Sequence, residues 1–190
     1  MQGKLIIFSA PSGAGKTTIV KHLLKKFPQL SFSISATTRE ARGAEKNNED
    51  YYFISKEDFL HKVAHQEFVE FEEVYNGTFY GTLRSEIERM WNEGRHVIFD
   101  IDVEGGLRLK RKYENEALAI FVQPPSLDVL KERLAGRGTD SEEKLQERYI
   151  KAEKELKYAD KFDIILKNYD LEIACKEAEK LVGDFLSVSS

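Results

Sequence analysis

"KLIIFSAPSGAGKTTIVKHLLKKF", residues 4–27, decides the fold. The run 4–9 is short, apolar and β-branched, which reads as a buried strand. The Ala-Pro-Ser-Gly turn ends it. From Lys16 to Phe27 the spacing of Ile19, Val20, Leu23, Leu24 and Phe27 puts one apolar face on a helix, and Pro28 stops it. Strand, glycine loop and helix in that order make a phosphate cradle: inward amides with a helix N-terminus behind them. The pattern G-x-x-x-x-G-K-[ST] is complete in Gly15, Lys16 and Thr17 except that its first glycine is Ala10. Ala10 precedes Pro11 and is therefore pushed towards extended angles, where a Cβ is no burden. The cradling amides come from Ser12 to Thr17, with Gly13 and Gly15 free to take the required angles. Lys16 reaches the β- and γ-phosphates of a nucleotide, and the Thr17 hydroxyl suits Mg2+.

Outward from the loop, strand and helix alternate. Strands are expected over 31–35, 68–75, 96–102, 117–122 and 162–167. Helices are expected from the Ser55 cap to about Gln66, from about Thr82 to Glu93, over 104–112, after the Ser126 cap, from about Glu142 to Ala159, and over 170–186. This predicts an α/β fold of the P-loop NTPase type: a mainly parallel central sheet flanked by helices, with function at the C-terminal strand ends. Residues 36–54 are polar without sustained periodicity. The stretch 36–88 breaks the alternation and is expected to be an inserted lobe on a single domain spanning 1–190, with 1–35 and 89–190 forming the core.

The chain of 190 residues carries a net charge of −4, with 41 % hydrophobic and 33 % charged residues. No basic footprint for nucleic acid and no apolar run long enough for a membrane span is present in the sequence. A single cysteine, Cys175, allows no intrachain disulfide and fits a reducing cytoplasm. His61 and His65 stand four apart on an expected helix, but the sequence between them lacks the Glu of a hydrolytic zinc motif, so zinc is not expected. The charge-rich stretch "EEKLQERYIKAEKELKYADK" reads as a solvated helix face.

Three further constellations carry chemistry. "SATTREARGAEKNNEDYYF" (35–53) spaces Arg39 and Arg42 three apart, with Tyr51 beyond; planar guanidinium forks suit a second phosphate. "VIFDID" (97–102) puts Asp100 and Asp102 at the tip of a buried strand, pointing the same way, as metal-shell carboxylates or as helix caps. "KERLAGRGTDSEEKLQER" (131–148) sets Arg133, Arg137 and Arg148 about a glycine-rich interruption, which suits a helical lid over about 133–150 that excludes water on closing.

Together with "FVEFEEVYNGTFYGT" (68–82), "IFDIDVEGG" (98–106) and "VQPPSLDVLKERLAGRGTDSEEKLQERY" (122–149), these pieces resemble the guanylate kinase family over almost the whole chain. The family tends to have Gly where this chain has Asn48, and Asn tolerates left-handed angles. Between Glu70 and Tyr80 the chain has one residue more than many relatives. The resemblance implies reversible transfer of the ATP γ-phosphoryl group to GMP, and to dGMP, with Mg2+ as cofactor and small molecules as the only partners. Monomer and homodimer both stay open.

It further implies an ATP site of Ala10, Pro11, Ser12, Gly13, Ala14, Gly15, Lys16, Thr17 and Thr18, with Asn168 near the adenine or its ribose. By the same resemblance, Glu70 accepts from guanine N1–H and N2–H, Ser35 and Thr82 lie near O6, and Asp102 adds an acceptor for the 2-amino group. Arg39, Arg42, Tyr51 and Tyr80 hold the GMP phosphate, with Glu45 orienting the arginines. Lys16, Arg39, Arg133, Arg137 and Arg148 are the expected catalytic cations. Thr17 is the expected Mg2+ ligand, and Asp100 is assigned to the Mg2+ and GMP environment, through water or the clamp arginines. Adenine would leave the Glu70 carboxylate facing a lone pair, and an unpaired buried charge is costly. A kinase of ribose bisphosphates would offer no guanine edge to Glu70, Ser35 and Thr82. A non-catalytic protein-binding module would have no use for Lys16 and Thr17, and a GTPase would carry a guanine-reading N-K-x-D, which is not found.

Overall fold

The computed structural model describes residues 3–75, 77–135 and 142–188. Its central sheet is all parallel, in the order β2-β7-β1-β8-β9: Leu30–Phe32, His96–Ile101, Leu5–Ser9, Ala117–Gln123 and Ile164–Lys167. β1 lies in the middle, and all five of its residues are buried. Such complete burial is why its sequence is a continuous apolar run and not an alternating one.

Two cores follow from the two faces. On one, Ile6 and Phe8 pack with Ile19, Val20 and Leu23 of α1 (Lys16–Lys26) and with Ala174, Ala178 and Val182 of α7 (Leu171–Ser187). Cys175 is buried in the same cluster. On the other face, Leu5 and Ile7 pack with Ile87 and Met90 of α3 (Arg84–Asn92) and with Val103 and Leu109 of α4 (Val103–Tyr113). Among the described residues no helix is long and apolar enough to cross a membrane.

A second, four-stranded sheet has the order β4-β3-β6-β5, from Tyr52–Phe53, Ala36–Thr37, Thr78–Leu83 and Phe68–Tyr75. Phe59 of α2 (Lys56–Ala64) packs on Phe68 with rings stacked at 4.4 Å and supplies this lobe's own small core. Four sequence expectations are corrected. The polar stretch 36–54 contains two short strands, β3 and β4, whose pairing with each other and with β6 defines them. Thr82 belongs to strand β6, and the helix starts only at Arg84. The strand expected over 31–35 is shorter and earlier, with Leu30, Ser31 and Phe32 in register with His96, Val97 and Ile98 of β7. The helix expected to reach Ala159 ends at Leu156, and a short 3-10 turn covers Ala159–Lys161.

The β5–β6 hairpin has two irregularities. The register slips between Phe68 and Glu70 and again between Glu73 and Tyr75. The second slip is a bulge at Val74, within the stretch between Glu70 and Tyr80. The first reverses the alternation, so Phe68 faces the lobe core while Glu70 and Glu72 share a face with Tyr80 and Thr82. Gly81 lies between them, where a Cβ would come within 2.9 Å of both Phe68 and Phe71.

Candidate functional site

The phosphate loop leaves β1 and enters α1. Gly13 and Gly15 have φ of 90° and 92°, a conformation that L side chains rarely adopt. Gly15 is the N-cap of α1 and no side chain caps it, so the first amides stay available to an anion. Ala10 is buried in the core and is absent from the positive-φ residues, so the loop has no need of glycine there. Asn168 follows β9. It is 2 % exposed and donates its amide to the Ala14 carbonyl at 2.7 Å. It braces the loop from behind.

Lys16 reaches across the sheet. Its Nζ lies 2.8 Å from Asp100 Oδ1 and donates to the Ile101 carbonyl at 2.7 Å. The Thr17 hydroxyl donates to Asp100 Oδ2 at 2.6 Å. The two oxygens of Asp100, at the end of β7, therefore divide between the lysine and the hydroxyl of one loop. Hydroxyl and carboxylate oxygens side by side fit a hard divalent cation that keeps most of its water. Asp102 caps α4, accepting from the Gly105 amide at 2.9 Å, so the helix-cap reading of this carboxylate holds for one of its oxygens.

Loop, Asp100 and Asp102 enclose a cavity of about 330 Å³, closed on another side by Arg148, Lys151 and Glu155 of α6 (Glu142–Leu156). One stripe of α6 thus faces the cavity, beside the solvated helix face expected from the charge-rich stretch. Lys151 and Glu155 were missed; their spacing from Arg148, three and seven residues on, is the helical signal that could have found them. Burial pushes the Glu155 carboxyl up to about 7, against the pull of Lys151 and Lys16. Arg133, near the end of α5 (Leu127–Ala135), is exposed and does not line the cavity. Arg137 and the glycine-rich interruption lie outside the described residues.

In the second lobe, Glu45 grips the Arg39 guanidinium with both oxygens, at 2.6 and 2.8 Å, and accepts from the Arg42 amide at 2.8 Å. The pairing with Arg39 holds the Glu45 carboxyl down to about 2. Arg39 Nε donates to the Tyr80 hydroxyl at 3.0 Å, and its guanidinium lies 4.8 Å from the Tyr51 ring centroid. Arg39, Glu45, Tyr51 and Tyr80 thus form one assembly, with Arg42 exposed beside it. The turn before Tyr51 survives as expected, with Asn48 at φ 66°.

Glu70 of β5 pairs with Thr82 of β6 and is 6 % exposed. The Thr82 hydroxyl lies beside the Glu70 carboxyl but closes no hydrogen bond of ordinary geometry. Burial pushes Glu70 up to about 7, with Asp102 adding to the shift and Thr82 and Arg108 opposing it. A buried carboxyl beside an unused hydroxyl is a polar edge lacking a partner. Ser35 precedes β3, and its carbonyl accepts from the Tyr52 amide. Glu72, also missed from the sequence, stands beside Glu70 and pairs with Arg108 at 3.0 Å.

A family model described as guanylate kinase matches residues 2–184. A guanylate kinase of Bacteroides fragilis is 48 % identical over 189 residues, covering 100 % of this chain and 93 % of that one. A guanylate kinase of Porphyromonas gingivalis is 49 % identical over 97 % of this chain and 98 % of its own length. The crystal structure of guanylate kinase from Anaplasma phagocytophilum superposes with a TM-score of 0.77 at 26 % identity, over 98 % of this chain and 88 % of that one.

Proposed function

The chain belongs to the guanylate kinase family of nucleoside monophosphate kinases, and from that premise we propose the reaction ATP + GMP ⇌ ADP + GDP, with dGMP as a further acceptor. The observation that carries the reading is the presence of two built sites in one chain. A phosphate loop is tied to Asp100 at the end of a central strand. An Arg39–Glu45 clamp and a buried Glu70 beside an unbonded Thr82 hydroxyl lie on a separate sheet.

Transfer is in line and needs no protein nucleophile; positioning and charge neutralisation supply the rate. The amides of Ser12 to Thr17 hold the ATP phosphates. Lys16 leaves Asp100 for the transferring phosphoryl group. Arg39, Arg42, Tyr51 and Tyr80 hold the GMP phosphate, and Arg148 is the lid cation best placed to reach the group in flight. Glu70 accepts from guanine N1–H and N2–H, Thr82 and Ser35 donate to O6, and Asp102 takes the second amino hydrogen. Thr17 and Asp100 would hold Mg2+, which offsets charge on the phosphates. We place the enzyme in the cytoplasm, where its one buried thiol stays reduced. We further propose that the lobe over 36–88 and the segment about 133–150 are the parts that close on the core, within one domain.

A coupled ADP-release assay with GMP, dGMP, AMP, CMP, UMP and ribose bisphosphate tests this. GMP and dGMP are expected to give turnover and the others little. Turnover with ribose bisphosphate but not GMP would transfer the reading to a related kinase. GMP binding without GDP formation would point to a non-catalytic module.

A further inference from the structure

Glu70 is not the only carboxylate on its face of the lobe. Strand alternation puts Glu72 on the same side, two residues on. The charge of Asp102, at the cap of α4, acts on both Glu72 and Glu70 and pushes them up. Three carboxylates thus converge from β5 and the α4 cap, with Tyr80 and Thr82 of β6 alongside.

Against them α4 sets Arg108, and α6 sets Lys151 at longer range. Arg108 Nη2 donates to Glu72 Oε2 at 3.0 Å, and Nη1 lies 3.6 Å from Glu104. Its Nε is buried and makes no hydrogen bond. The Glu72 and Arg108 side chains are 19 % and 31 % exposed, so water screens this pair only in part.

A guanine edge needs an ionised acceptor, since a protonated carboxyl would set its own donor against N1–H. Carboxylates this close cannot all ionise unless a cation stands among them. We propose that the Glu72–Arg108 pair is a positioning element for the acceptor base: Arg108 keeps Glu70 the ionised acceptor that guanine requires, and Glu72 fixes Arg108 in the place from which it does so. The inference rests on the reading of GMP as acceptor. It gives a task to two residues that the functional reading leaves unassigned.

The test is steady-state kinetics of Arg108→Gln, Arg108→Lys, Glu72→Gln and the double variant Glu72→Gln/Arg108→Gln beside the parent, with thermal melting of each. Arg108→Gln is expected to raise KM for GMP about tenfold, with kcat and KM for ATP within about twofold. Arg108→Lys, which keeps the charge, restores most of the GMP affinity. Glu72→Gln raises KM for GMP by less, and the double variant is no worse than Arg108→Gln, because the two residues act as one. A KM for GMP in Arg108→Gln close to the parent's overturns the proposal. So does an equal loss in kcat and both KM values, or a misfolded Arg108→Gln that Arg108→Lys does not repair, since these mark a merely structural pair. A parent that does not phosphorylate GMP overturns the functional reading together with this one. A parent that does, beside an unaltered Arg108→Gln, overturns this inference alone.

Discussion

The side-chain amide of Asn168 donates to the Ala14 carbonyl at 2.7 Å, joining two residues 154 apart in the chain. The same amide would stand 2.4 Å from a Cβ on Gly15. The loop is therefore held against a fixed polar backstop, and its glycine is required by that contact as well as by its φ of 92°. Asn168→Ala leaves a loop carbonyl without its partner, at a cost of about 1–3 kcal/mol. The expected result is a lower Tm and a raised KM for ATP with KM for GMP little changed. An unaltered KM for ATP would show that the brace is dispensable.

Lys16→Ala removes the cation shared by Asp100 and the Ile101 carbonyl. Turnover is expected to fall by about a hundredfold or more. GMP binding, measured by calorimetry without ATP, stays near the parent value, because the acceptor clamp shares no residue with the loop. Loss of both together would contradict the division of labour proposed above.

Glu70 ties affinity to pH. With its carboxyl pushed up to about 7 by burial, an empty cleft at pH 6 is largely protonated there, and GMP must displace that proton. KM for GMP is expected to climb as pH falls below 7, approaching about tenfold per unit, while KM for ATP lacks that limb. In Glu70→Gln the limb disappears, and selectivity for GMP over AMP weakens more than ATP affinity.

The same group affects stability with the opposite sign. Its folded value lies above the ordinary 4.5. The folded chain thus binds more protons than the unfolded one between pH 4.5 and 7. Its contribution is fully present below 4.5 and is lost as pH rises through 7. Glu70→Gln is therefore expected to melt above the parent at pH 8, by up to about 3 kcal/mol, and the gap closes towards pH 5. A variant less stable than the parent at pH 8 would refute the buried-charge account.

Glu45→Gln loosens the fork that aims Arg39. A KM for GMP raised about tenfold, with KM for ATP retained, is the expected outcome. Normal GMP kinetics would mean that Tyr80 and Tyr51 suffice to hold the guanidinium.

What could be read in the sequence was local. The loop, the Arg39–Arg42 pair and the Asp100–Asp102 tip each occupy a few consecutive residues, and the helical and strand periods around them are intact. What could not be read depends on partners far along the chain. Ala36–Thr37 and Tyr52–Phe53 are too short to carry a period and become strands by pairing. Thr82 looked helical because nothing local says that β6 continues to Leu83. Glu72 meets Arg108 36 residues away, after a bulge has reversed its face. Lys151 and Glu155 were hidden by the charges around them on α6, since a stripe facing phosphate is as polar as one facing water.

The sheet neighbours of β1, β7 and β8, begin far along the chain from it, at His96 and Ala117. The buried Lys4 before it donates to the Phe185 and Val188 carbonyls at the end of α7. Long-range pairing of this kind closes late. On the ribosome, the loop at the end of β1 waits for the chain to emerge as far as Asn168 before it is braced. A shorter nascent fragment carries the sequence of the loop without the contact that braces it.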